Sequence, residues 1–181
     1  MHRQPLLNLL DRYLLRYPAE GDNALRFRDF VERYPDCFER SQQNGHVTAS
    51  AWIVDETGTR TLLTHHRKLN IWLQPGGHAD GDSDVLKVAM TEVQEETGLT
   101  SFKPVSSAIF DLDIHGIPAR KEDPSHFHYD VRFLIQNSKD DAYIVSEESH
   151  DLAWVEMSRL EDSTDEWSMR RMRDKAIAAL S

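Results

Sequence analysis

Residues 71–99 constrain this chain more than any other stretch. A short apolar run, Ile71-Trp72-Leu73-Gln74, meets Pro75-Gly76-Gly77, a triplet that cannot continue regular structure and so marks a shaped loop. A helix follows. Leu86, Ala89, Met90 and Val93 give it an apolar stripe, Asp82 or Ser83 can cap its start, and Gly98 closes its end. Strand, glycine loop and helix in direct succession place the chain among α/β or α+β folds.

The flanking sequence extends that pattern. Leu6, Leu7, Leu10, Tyr13, Leu14 and Tyr17 recur at helical spacing until Pro18, and a second amphipathic segment over about 22–34 ends before Pro35. They predict a helical extension over residues 1–44 ahead of a main domain at 45–181, with surface for core packing or for a homodimer. From Val47 the texture turns strand-like: residues 47–54, a turn at Asp55-Glu56-Thr57-Gly58, then residues 60–66 read as a hairpin. Strands at about 105–115, 126–136 and 152–156 follow. A last helix begins near 165, where Ser163-Thr164-Asp165-Glu166 reads as a capping box. The order implies a mixed sheet with helices.

The chemistry concentrates at Glu92-Val93-Gln94-Glu95-Glu96. Residues at i, i+3 and i+4 share one helix face, so three carboxylates project side by side. Each like-charge pair there costs about 0.2–0.5 kcal/mol. A divalent cation reverses that sign, because magnesium takes oxygen ligands from one or two carboxylates and from substrate phosphates. A solvated acidic helix face would show the same spacing, so the context decides.

That context is Gly77 at a fixed distance before Glu92, Val93, Glu95, Glu96, Gly98 and Leu99. These residues resemble the box of the Nudix hydrolase family, G-x5-E-x7-R-E-U-x-E-E-x-G-U with U aliphatic. Ser83 stands where the box has its first Glu and Thr91 where it has Arg. The resemblance covers roughly residues 45–160 and implies an α/β/α sandwich with a mixed sheet. It also implies a hydrolase that cleaves a phosphoanhydride bond in a nucleoside diphosphate linked to another moiety. By the same resemblance Glu92, Glu95 and Glu96 would bind Mg2+ or Mn2+, and the carbonyl of Gly77 can add a ligand. An acid from a later loop, Glu148 first and Glu147 second, would complete the site. The general base is either Glu92 or the loop glutamate. Ser83 and Thr91 motivate a rival reading, a catalytically silent Nudix-like module that binds a nucleotide or a protein.

Two further patterns are candidates for substrate contact. Alternation over residues 126–133 sends His126, His128, Asp130 and Arg132 to one strand face and Phe127, Tyr129, Val131 and Phe133 to the other. Arg132 can fork onto a phosphate and His128 can bind substrate or bridge to a carboxylate. Consecutive same-face strand positions lie far apart for one ion, so zinc held by His126, His128 and Asp130 is not the expectation. His65-His66-Arg67-Lys68 is the best local basic patch, with Arg67 a candidate for phosphate.

The formal charge of −10 repels nucleic acid and favours cation binding, which points to a small nucleotide-type substrate. The single cysteine, Cys37, excludes an intrachain disulfide and a multi-cysteine zinc site. A reducing cytoplasm fits that composition. No run approaches the ~20 apolar residues of a membrane span.

Overall fold

The computed structural model describes residues 2–67, 70–120, 124–138, 142–146 and 149–181. Helices α1 (Gln4–Arg16) and α2 (Gly21–Arg33) form the expected N-terminal pair, joined by a 3-10 turn at Pro18–Glu20. Their apolar stripes bury Leu6, Leu10 and Tyr13 from α1, and Ala24, Phe27, Phe30 and Val31 from α2. Phe30 stacks on Tyr129 at 3.8 Å between ring centroids, and Phe27 meets the same ring edge-on at 5.3 Å. Each aromatic pair adds about 0.5–1.5 kcal/mol beyond its buried area. The buried residues of α1 and α2 belong to one apolar cluster with those of the sheet.

The sheet has eight strands among the described residues: β1 (Gly45–Val54), β2 (Arg60–His66), β3 (Ile71–Leu73), β4 (Gly76–His78), β5 (Phe102–Pro104), β6 (Asp111–Ile117), β7 (His126–Asn137) and β8 (Ser149–Glu156). Strand β1 is central. It runs parallel to β7 along its whole length and antiparallel to β2 and β4. Strand β7 carries β6 and β5 on its other edge, and β2 carries β8 and β3. Every residue of β1 is buried, as expected for a strand covered on both faces.

Val47, Ala49, Ala51 and Ile53 face α1, α2 and α3 (Val85–Thr97), where Val85, Val88, Ala89 and Val93 close the first core. Trp52 and Val54 face the other way. With Leu63 and Leu134 they pack under Met157 and Leu160 of the 3-10 segment Met157–Asp162 and under Met169, Met172 and Ala176 of α4 (Trp167–Leu180). The layers are helix, mixed sheet, helix. No helix among the described residues is long and apolar enough to cross a membrane.

Three local expectations are corrected. Gly76 and Gly77 continue regular structure as β4, because small residues face them. A Cβ on Gly76 would lie 2.3 Å from the Ser50 Cβ, so only glycine lets β4 close on β1. The strand expected at 105–115 begins later, at Asp111, since Phe102–Pro104 pairs separately with β7. The caps also differ. Asp84, not Asp82 or Ser83, accepts the Lys87 amide at the start of α3, and Glu166, at the N-cap position of α4, makes no side-chain cap.

Candidate active site

The β4–α3 unit brings the glutamate face onto the glycine strand. Gly77 pairs with Ala49 of β1 and so lies on the sheet face that α3 covers. A methyl group on Gly77 would come within 2.2 Å of Glu92 Oε1 and 2.5 Å of Glu92 Cδ. The missing side chain is thus the seat of the Glu92 carboxylate. One turn on, Glu96 Oε1 accepts the Gly76 amide at 3.2 Å. Glu92 and Glu96 are half-buried and Glu95 is exposed on the same turn.

Ion pairs fix the approach to this helix. Arg40 forks onto Asp80, with Nη2 at 2.6 Å from Oδ2, and Lys87 Nζ lies 2.8 Å from Asp82 Oδ2. Asp80 and Gly81 turn the chain with φ of 48° and 86°, the left-handed region that Asp and Gly tolerate best. At the far end of α3, the Ile144 amide donates to Thr97 O at 2.8 Å and its side chain abuts Gly98. The segment leading into the acidic loop is therefore tethered to the helix end that carries Glu95 and Glu96. Glu147 and Glu148, the expected loop ligands, lie outside the described residues. Beyond them, Arg67 Nη2 donates to Ser149 O at 3.0 Å, and the Thr64 and Ser149 hydroxyls are bonded to each other. The Arg67 residue stays exposed; Lys68 falls outside the described residues.

These residues fit a hard divalent cation. The α3 side chains supply oxygen donors alone, and Gly77 leaves the cradle that a Cβ would fill.

The expected role of Arg132 is corrected. Its residue is 3% exposed, and three aspartates occupy its guanidinium: Asp130 at 2.8 Å, Asp111 at 3.2 Å and Asp113 at 3.3 Å. Asp130 in turn accepts the Thr48 and Ser50 hydroxyls at 3.0 and 2.8 Å. Asp111, fully buried, also receives Arg171 Nη2 and Lys175 Nζ of α4, both at 2.7 Å. This network locks β6, β7 and α4 together and leaves no fork for a phosphate.

Among the described residues, histidine rings surround that of His128. Its ring centroid is 4.9 Å from His46, 5.0 Å from His78, and 5.4 Å from both His115 and His126. Burial and the neighbouring imidazoles push His128 down to about 2 and His46 down to about 4, so both are neutral at pH 7. His46 is 3% exposed, and neither of its ring nitrogens has a hydrogen-bond partner among the described residues. Such an unsatisfied buried group costs about 1–3 kcal/mol. Sequence reasoning did not single out His46 or His78; the one signal was a histidine at the start of β1 and another directly after the glycine pair.

Cys37 is buried and its thiol is pushed up to about 12 by burial, so it is no nucleophile. Trp72 is half-buried and stacks on His65 at 5.0 Å.

A family model for the NUDIX domain matches residues 45–176. The chain belongs to the Nudix family. Among curated proteins, the m7GpppN-mRNA hydrolase NUDT17 of Xenopus laevis is 30% identical over 105 residues, 54% of this chain, and this chain spans 35% of that protein's length. Among solved structures, a C. elegans Ap4A hydrolase binary complex covers 74% of this chain and 96% of its own, at 19% identity and a TM-score of 0.56. The E. coli dihydroneopterin triphosphate pyrophosphohydrolase covers 71% and 92%, at 17% identity and a TM-score of 0.57. Similarity at these identities is one of fold. Within the Nudix box, the two departures differ in setting: Ser83 is half-buried on the approach to α3, beside the Asp82–Lys87 pair, and Thr91 is exposed midway along the helix.

Proposed function

We propose that this Nudix protein hydrolyses a phosphoanhydride bond in a nucleoside diphosphate linked to another moiety, using Mg2+ or Mn2+ held by Glu92, Glu95 and Glu96. The observation that carries the reading is the seating of Glu92 against Gly77, with Glu96 on the Gly76 amide. A divalent ion held there would offset charge on the diphosphate oxygens and lower the pKa of a bound water.

The chain's own residues do the rest. The Gly76 amide orients the Glu96 carboxylate, and Gly77 admits the Glu92 carboxylate to the sheet edge. A carboxylate takes the proton of the attacking water, either Glu92 or Glu148 of the acidic loop, with Glu147 next to it. Arg67, exposed beside the anchored end of that loop, is the candidate for a substrate phosphate. The charge of −10 favours a small substrate over long RNA.

Ser83 and Thr91 support a second reading, a silent module that binds a nucleotide or a protein. One experiment separates the two. Purified protein with Mg2+ or Mn2+ is offered nucleotide sugars, ADP-ribose, Ap4A, nucleoside triphosphates and a m7GpppN cap. The hydrolase reading expects turnover of at least one, abolished in Glu96→Gln. Tight binding of a nucleotide without turnover supports the silent module. Unchanged activity and metal affinity in Glu96→Gln would overturn the site assignment.

A further inference from the structure

We propose that His46, His78 and His128 bind one transition-metal ion of the zinc class, at a site separate from the carboxylate face. Strand register builds this site. The parallel ladder sets His46 of β1 directly opposite His128 of β7. Strand β4 places His78 opposite Thr48, two residues from His46 and on the same face of the sheet. Strands lie about 4.8 Å apart, so imidazoles from three adjacent strands reach one point, which two residues of a single strand could not do.

The geometry agrees. One ring nitrogen from each of the three histidines lies within 4.8 Å of the others. Tetrahedral coordination with Zn–N bonds of about 2.1 Å brings ligand nitrogens to about 3.4 Å, a closure that small rotations of the rings supply. His46 is the second, independent observation: its imidazole is buried, carries no hydrogen bond among the described residues, and lies against the rings of both other ligands. A coordinated ion would use the lone pair that the protein leaves unmatched.

The ligand class follows from the donor set. Three imidazoles select zinc, cobalt or nickel, whereas magnesium requires oxygen. Three protein ligands leave the fourth position to water or an anion. A cleft of about 460 Å3 at the ends of β6 and β7 is lined by His126, whose ring is 5.0 Å from His46.

The test uses the full chain, stripped with a chelator and titrated with Zn2+ by calorimetry. Co2+ serves for visible spectroscopy, and zinc X-ray absorption reads the ligand shell. The expected result is one equivalent of Zn2+ with imidazole scattering, four-coordinate Co2+ bands, and no displacement by excess Mg2+. His78→Gln and His128→Gln each weaken Zn2+ binding by about 100-fold, while the double variant Glu95→Gln/Glu96→Gln keeps it. The proposal is overturned if wild-type protein takes up no Zn2+, if the shell contains oxygen alone, or if binding follows the glutamates instead of the histidines. The wild-type spectra decide the matter even where a histidine variant fails to fold.

Discussion

Replacing Gly77 with alanine should disable the proposed metal face while leaving the fold intact. Gly77 does not need a left-handed φ, so its backbone accepts a side chain. The three atoms nearest to the added methyl all belong to the end of the Glu92 side chain, with Oε1 at 2.2 Å. Ordinary contact begins at 3.4 Å, so the carboxylate must withdraw by at least 1.2 Å. Mg2+ demands near-ideal octahedral geometry at about 2.0–2.1 Å, and a displacement of about 1 Å in a catalytic group costs on the order of 100-fold in rate. We therefore expect Gly77→Ala to lower kcat/KM and Mn2+ affinity by that order, read by steady-state hydrolysis and by calorimetry, with an unfolding temperature close to wild type. Gly76→Ala is the structural control. Its methyl would lie 2.3 Å from Ser50 Cβ and 2.9 Å from Ala49 O, atoms of the central strand that cannot rotate away. Overpacking of this kind costs about 1–3 kcal/mol, or roughly 2–12 °C in Tm for a chain of this size. Wild-type Mn2+ affinity and turnover in Gly77→Ala would refute the idea that this glycine exists to seat Glu92.

Two further outcomes follow from the buried charges. Asp111→Asn leaves Arg132, Arg171 and Lys175 around a neutral amide and should destabilise the protein by about 3–5 kcal/mol in denaturant unfolding, whereas a loss below about 1 kcal/mol would show that the network contributes little. For Asp113, burial raises the pKa, but the His115 hydrogen bond and the charges of Arg132 and Arg171 outweigh it and hold the carboxyl at about 2, below its ordinary 3.8. A depressed carboxylate stabilises the fold above its unfolded pKa and loses that contribution as pH falls through the folded one. Wild type should exceed Asp113→Asn by up to about 2 kcal/mol at pH 7, with the advantage shrinking between pH 4 and pH 2; a pH-independent difference would contradict the assignment.

What could be read from the sequence, and what could not, divides along the range of the interactions. The Glu92–Glu95–Glu96 face was legible because helical periodicity is set within one turn, and Gly77 because the glycine pair interrupts an apolar run. Alternation correctly put His128, Asp130 and Arg132 on one polar face of β7, yet it said nothing of their partners. Those partners come from register: β6 sets Asp111 opposite Arg132, and β1, running parallel, sets His46 opposite His128. Local pattern does not encode a parallel pairing, and a one-residue slip would have sent every one of these side chains to the other face. The same long-range pairing made Gly76 and Gly77 a strand against their propensity, since the small side chains of Ala49 and Ser50 opposite them complete a contact that no larger residue could enter. The residue misjudged, Arg132, and the residues missed, His46 and His78, are therefore of one kind. Each takes its surroundings from a strand distant in sequence, and in a sheet built on a parallel central pair no local pattern specifies that neighbour.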